Sequence, residues 1–498
     1  MTAALMIQGT GSDVGKSLIV AGLARAYSAR GLRVRPFKPQ NMSNNAAVAV
    51  DGGEIGRAQA LQALACGVEP SVHMNPVLLK PETDTGAQVI VRGKREATFS
   101  ARDYMAARAQ YLPAILESFT HLSAEADLVL IEGAGSPAET NLRHRDIANM
   151  GFAHAADVPV LLVGDIHRGG VIASIVGTFE VISPEDADRI ATFLINRFHG
   201  DTTLFEDGVR TLEERSERPC AGVIPHFADA GKLPAEDAVA LDKRADVTKT
   251  GDTTIVIPRL SRIANFDDLD PLKLTPGVSV EIVHPGHPLP ADADLILLPG
   301  TKSTIGDLEF LRAQGWDIDI LAHARRGRRV LGLCGGYQML GHMVRDPDGI
   351  EGPPGSAKGL GLLNIETTLT GDKAVKNTKA AHVASGAQIS GYEIHLGRSE
   401  GEDCIRPFAE IGRRRDGARS KDGHIEGTYL HGIFASDEFR AAYLTGLGIK
   451  DVQEFAYNAV VEETLDRLGA HLERHADLDL LLEIARSRSP APARREAI

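Results

Sequence analysis

Short apolar runs separated by amphipathic stretches set the rhythm of the first half of the chain. Residues 5–7, 32–37, 127–131, 158–163, 192–195 and 221–224 are short and mostly apolar, with helical patterns such as 18–30 and 100–119 between them. Strands of this kind alternating with helices predict a mostly parallel sheet covered on both sides. The rhythm lapses between 227 and 252, where polar and charged residues gather with Gly231 and Pro234, as in a linker. A second series begins at 254–257, continues through 279–283, 294–298 and 329–333, and ends near Phe434. Beyond it, Phe455, Val460, Leu465, Leu468, Leu472, Leu480 and Leu481 fall at helical spacing, and the last residues are rich in Arg, Pro, Ala and Ser. The expected organisation is an α/β protein: a parallel-sheet domain at 1–230, a linker at 231–251, a second α/β domain at 252–440, helices at 441–486 and a disordered tail at 487–498.

Composition narrows the setting. A chain of 498 residues exceeds one ordinary core, so two or three domains are expected. Hydrophobic residues at 43% and charged residues at 24% describe a globular protein. The formal net charge of −13 gives no global attraction to nucleic acid or to an anionic membrane, and neither is expected as a partner. Phosphate held locally by a loop stays open. Cys66, Cys220, Cys334 and Cys404 are far apart and form no C-x-x-C pair, which argues against a disulfide framework or a zinc cluster. No apolar run reaches transmembrane length and no leader pattern precedes the first strand, so the cytoplasm is the expected location.

The first chemical signal lies at the start. An apolar run, the turn Gly9-Thr10-Gly11-Ser12-Asp13-Val14-Gly15 and then Lys16-Ser17 opening a helix form a strand-loop-helix phosphate site. Loop N–H groups face the phosphates of ATP, Lys16 reaches the β/γ oxygens and Ser17 ligates Mg²⁺. Thr10 stands where the strict pattern wants glycine. Glu132, at a strand end, and Asp51, in an Asp-Gly-Gly-Glu turn, are suited to hold Mg²⁺ with Ser17. Lys38 and Lys80 are candidates to hold a substrate carboxylate, and Asn41 and Asn75 to meet its polar rim.

The second signal is Gly332-Leu333-Cys334-Gly335-Gly336-Tyr337-Gln338, between a strand and a helix. Small neighbours permit the sharp turn that lifts a nucleophile out of a sheet, and a helix start favours thiolate. A thiolate needs a base, and His431 follows a later strand. Gly300, after another strand, offers N–H groups for an oxyanion hole, and Gly335, Tyr337 and Gln338 complete the expected site around it.

These residues carry a resemblance. The second half resembles the class I glutamine amidotransferases, whose cysteine attacks the glutamine amide and releases ammonia. Their usual Glu two residues after the histidine is replaced here by Ile433, so the resemblance leaves His431 without its third partner. The first half resembles the dethiobiotin synthetase family through the Gly9–Ser17 loop, Lys38-Pro39 at a strand end and Glu132-Gly133-Ala134-Gly135. Stretches 37–45, 74–81, 146–150, 164–170 and 391–398 are similar to the cobyric acid synthase family, and that likeness runs from about residue 5 to about 485. It implies glutamine- and ATP-dependent amidation of the b, d, e and g carboxylates of adenosylcobyrinic acid a,c-diamide, a corrinoid, through acyl phosphates in cobalamin biosynthesis. Two other readings remain at this point. One is the sibling cobyrinic acid a,c-diamide synthase; the other is a partition-type switch ATPase, which shares the loop but needs no Cys334 turn.

Overall fold

The computed structural model describes residues 2–82, 86–236, 241, 251, 253–449 and 455–487. Most of the expected linker, and the expected disordered tail from 488 onward, lie outside these residues.

Six strands form the first sheet: β1 (Ala3–Gly9), β2 (Val34–Phe37), β3 (Leu128–Glu132), β4 (Val160–Asp165), β5 (Ile190–Phe198) and β6 (Cys220–Pro225). Their order is β6-β5-β4-β1-β3-β2, all parallel. β1 is buried along its whole length, as an apolar strand between two neighbours must be. Helix α1 (Lys16–Ala29) follows it, and α2 (Arg57–Ala65) packs beside α1. The second sheet contains β7 (Thr253–Pro258), β8 (Val278–Val283), β9 (Leu295–Leu298), β10 (Arg329–Leu333), β11 (Ala418–Arg419) and β12 (Ile425–Thr428), in the order β8-β7-β9-β10-β12-β11. It is parallel except for its short edge strand β11. The α/β expectation thus holds for both halves. β1 and β10 each have a neighbour on both sides, and each runs into a turn and a helix, α1 and α3 (Gly335–Leu340). Open α/β sheets bind ligands at such carboxyl ends.

Antiparallel strands, for which the apolar pattern gave no expectation, surround these cores. Val77–Pro81, Gly86–Val91 and Lys94–Ser100 form a meander in the first half. Ala374–His382 pairs with Gln388–His395, which in turn pairs with Leu430–His431 in the second.

The end of the chain returns to the beginning. Helices α4 (Tyr457–His475) and α5 (Leu478–Arg486) join the core of the first sheet, with Leu465, Leu468 and Leu472 packed among Ile19, Val20 and Leu23. A Cβ on Gly22 would lie 2.7 Å from Leu472, so the missing side chain is what lets α1 and α4 approach. Each of these buried leucines contributes on the order of 1.5–3 kcal/mol relative to exposure. Tyr27 donates to the Leu478 carbonyl at 2.7 Å and the Asp477 N–H donates to the Ala221 carbonyl at 2.8 Å, fixing the register. No described helix is long and apolar enough to cross a membrane.

Candidate active sites

The phosphate loop owes its shape to small residues. Gly15 has φ 93°, a left-handed conformation natural to glycine, and a side chain there would strike the Asn196 carboxamide. Thr10 donates its N–H to the Val163 carbonyl at 2.9 Å. Lys16 is buried and folds back onto the carbonyls of Gly11 (3.1 Å) and Gly135 (3.0 Å). Burial lowers its pKa and the Lys38 charge adds to this, while Glu132 and Glu236 oppose it.

Around Ser17 lies a compact charged cluster. Its hydroxyl is 2.8 Å from Glu132 Oε1 and 2.5 Å from Glu236 Oε2. Lys38 Nζ reaches the same carboxylates at 2.7 and 2.5 Å. Burial works against the charge on Lys38, but the two glutamates outweigh it and raise its pKa. Gln62, on α2, donates to Glu132 Oε2 at 2.6 Å, with Gln59 at 3.4 Å and Asn41 donating to Gln59 at 2.8 Å. Glu236 was not among the sequence candidates. It arrives on the segment leaving the first sheet, where Ser43 donates to the Glu236 carbonyl at 2.9 Å and Asn45 to the Ala235 carbonyl at 2.8 Å.

Four expectations for this site are corrected. Asp51 stands apart from Ser17, on an exposed turn where it accepts from Ser71 Oγ (2.7 Å) and the Val72 N–H (3.1 Å), and Glu236 takes the place expected for it. Asn75 spends its carboxamide on backbone, accepting from Gly56 N–H at 3.0 Å and donating to the carbonyls of Val77 (2.9 Å) and Lys38 (3.2 Å). Lys80 faces the other site: it pairs with Glu54 at 2.7 Å and lines the cavity beside Cys334. Asn41 is buried and braces Gln59, so it acts through a neighbour rather than on an open rim.

Cys334 follows β10 with φ 51° and ψ −108°, a backbone conformation that an L side chain adopts only under strain. A Cβ on Gly332 would lie 2.6 Å from the Gly336 carbonyl, and one on Gly335 would press on Thr301. The glycines are therefore required by the turn itself. A small cavity of about 40 Å³ is shared by Cys334, His431, Gly300, Gly335 and Gln338 with Lys80, Lys302, Lys373 and Glu351. Gln338 is held by Thr304 Oγ1 (2.9 Å) and donates to the Leu396 carbonyl (2.9 Å). Tyr337 departs from expectation: it points away from the cavity, edge-on to Tyr429, with its hydroxyl 4.0 Å from Cys404 Sγ.

His431 is fully enclosed and, through Nδ1, hydrogen-bonded to Asp268 Oδ2 at 2.7 Å; it shares the cavity with Cys334. Asp268 also accepts from the Gly432 N–H at 2.5 Å, which fixes the carboxylate against the histidine loop. Burial acts to lower the His431 pKa, but the charge of Asp268 and the Cys334 sulfur outweigh it and raise it to about 10. The partner missing at Ile433 thus comes from a segment 163 residues earlier. The acidic run Asp267-Asp268-Leu269-Asp270 was the only sequence trace of it, and nothing local distinguishes its members.

Comparison with known proteins agrees with both halves. Residues 5–240 match the CobQ/CobB/MinD/ParA nucleotide binding domain and residues 254–439 the CobB/CobQ-like glutamine amidotransferase domain. A cobyric acid synthase of Bradyrhizobium diazoefficiens is 61% identical over 486 residues, covering 98% of this chain and all of the relative. Cobyric acid synthases of Cereibacter sphaeroides (60% over 483 residues) and Paracoccus denitrificans (61% over 483 residues) cover 97% of this chain and all of their own.

Proposed function

The chain belongs to the cobyric acid synthase family of glutamine-hydrolysing amidotransferases, and on that premise we propose that it amidates the b, d, e and g carboxylates of adenosylcobyrinic acid a,c-diamide. The observation that carries the reading is the pairing on one chain of the Lys16–Ser17–Lys38 phosphate cluster with a Cys334–His431–Asp268 constellation.

In the glutaminase site the Cys334 sulfur attacks the amide carbon of glutamine. N–H groups of Gly335 and Gly300 would face the developing oxyanion. The His431 imidazolium gives its proton to the departing ammonia, leaving a thioester, and water then releases glutamate and restores the sulfur. Asp268 keeps the imidazole turned so that Nε2 serves the sulfur.

In the synthetase site a corrinoid carboxylate oxygen attacks the γ-phosphorus of ATP, and the bond to ADP breaks. Ammonia adds to the acyl carbon and phosphate leaves. Lys16, Lys38 and the loop amides offset the charge on the phosphoryl oxygens. The oxygens of Ser17, Glu132 and Glu236 converge on one point and are the hard donors that suit Mg²⁺, which would neutralise phosphate charge there. Free ammonia is mostly protonated at neutral pH, so delivery within the molecule favours the reaction. ATP and glutamine as co-substrates support a cytoplasmic setting.

Product masses test the reading. Incubation with ATP, glutamine and either cobyrinic acid or its a,c-diamide should convert only the a,c-diamide, adding four amides. Conversion of only cobyrinic acid would make the chain an a,c-diamide synthase instead.

A further inference from the structure

The glutaminase constellation is finished by a residue of the other half. Asp268 is buried beside His431; its neighbour Asp267 is partly buried, with its side chain 10% exposed, and Asp270 lies one turn away. Only Asp268 touches the imidazole. Asp267 is taken up by Arg57, the first residue of α2, whose guanidinium lies 2.8 Å from its Oδ2. The same guanidinium donates to the Tyr392 hydroxyl and to the Ala46 carbonyl, each at 2.7 Å. Tyr392 lies nearly parallel to the His431 ring, at 17° with centroids 5.3 Å apart, and its hydroxyl is 3.4 Å from Asp267. One arginine therefore fixes both the competing carboxylate and the aromatic wall of the histidine.

The physical requirement is clear. Two like charges on neighbouring residues in a low-dielectric site cannot both stay ionised without a cation. Burial raises the Asp267 carboxyl, Arg57 opposes that and Asp268 adds to it, for a value of about 7. Without Arg57, Asp267 would either take up a proton or compete with Asp268 for the imidazolium. Arg57 is also not free to move alone. Further along α2, Gln59 and Gln62 reach Glu132 beside the phosphate loop.

We propose that Arg57 is a positioning residue of the glutaminase, supplied by the synthetase half: it neutralises Asp267 and seats Tyr392, so that Asp268 alone orients His431. Glutamine hydrolysis is then tied to the docked position of α2, the helix that also holds Glu132. This rests on the Cys334–His431–Asp268 reading given above.

The test measures glutamine hydrolysis and ammonium-driven synthesis in the full chain for Arg57→Gln, Arg57→Gln with Asp267→Asn, and Asp268→Asn. Arg57→Gln should lower kcat for glutamine by about 100-fold, the effect of a small misplacement of a catalytic group, and leave KM for glutamine unchanged. Ammonium-driven synthesis should persist. Adding Asp267→Asn removes the orphaned charge and should recover at least about 10-fold of the loss, a coupling in the range for groups in direct contact. An unchanged kcat in Arg57→Gln, with hydrolysis lost in Asp268→Asn, overturns the role of Arg57 and leaves the constellation standing. Unchanged hydrolysis in Asp268→Asn removes the constellation and the proposal together. Loss of both activities in Arg57→Gln that Asp267→Asn does not repair also overturns it, since the arginine is then only structural.

Discussion

The phosphate loop and the cysteine turn are two answers to one architectural problem. Each sits where a central strand of a parallel sheet turns into a helix, and each has backbone at positive φ. In the first this is at Asp13 and Gly15, in the second at Cys334. The difference follows from what the turn must present. Phosphate is held by backbone N–H groups, so glycine serves at the start of the helix. A nucleophile must be a side chain, so the second turn carries a Cβ in a strained conformation and surrounds it with glycines that give it room.

The sharpest way to separate the two turns is to disable each. Lys16→Ala should abolish synthesis from glutamine and from ammonium salts alike. Cys334→Ala should abolish only the glutamine-driven reaction, because external ammonia replaces the first site. Parallel rate assays with the two nitrogen sources check this, and loss of the ammonium-driven reaction in folded Cys334→Ala would break the division of labour.

A smaller effect is expected from the relay behind the cysteine. Asp268→Asn should lower glutamine hydrolysis by about 100-fold or more, since the imidazole loses the group that orients it. Against burial, the Asp268 charge is the largest contribution lifting His431 to about 10. A raised histidine stabilises the fold fully below its ordinary pKa of about 6.5, and that contribution is lost as pH rises through the folded value. Removing the carboxylate should therefore shift the alkaline limb of the hydrolysis profile to lower pH. A limb that stays in place would mean another group holds the proton.

The strain itself can be measured. Cys334→Gly should unfold at a higher denaturant concentration than Cys334→Ala, by about 1–3 kcal/mol, because only glycine relaxes the turn. Gly15→Ala should go the other way, losing about 1–2 kcal/mol. Equal stability of the two Cys334 variants would remove the contrast drawn between the turns.

The weakest effect concerns the face between the halves. Burial alone would raise Glu54, but Lys373 and Lys80 outweigh it and hold it at about 2. A depressed carboxylate contributes stability above its ordinary pKa of about 4.3, lost as pH falls through the folded value. Glu54→Gln should flatten acid unfolding between about pH 4 and 2, as followed by circular dichroism.

Legibility in the sequence tracked how local each feature is. The Gly9–Ser17 loop and the Gly332–Gly336 turn are contiguous, and their backbone demands leave glycines at set spacings that can be read directly. Strands such as β1 and β10 were visible because burial on both faces makes them uniformly apolar. The antiparallel meander at 77–100 was not, since its last strand is largely exposed and mixed in composition. Asp51 and Glu236 show the limit best. Both are acidic residues in loops, and only the course of the chain leaving β6 brings one of them to Ser17 and leaves the other on a distant turn.

By itself the sequence determined the α/β class, the phosphate loop and the cysteine turn, because each is written in residues a few positions apart. Tertiary structure alone decided which charges meet. Asp268 reaches His431, Arg57 reaches Asp267, and Lys80 faces the cysteine cavity rather than the phosphate site. Side-chain charges act through space over a few ångströms, and residues brought that close by folding can lie hundreds of positions apart in the chain, so no local pattern records them.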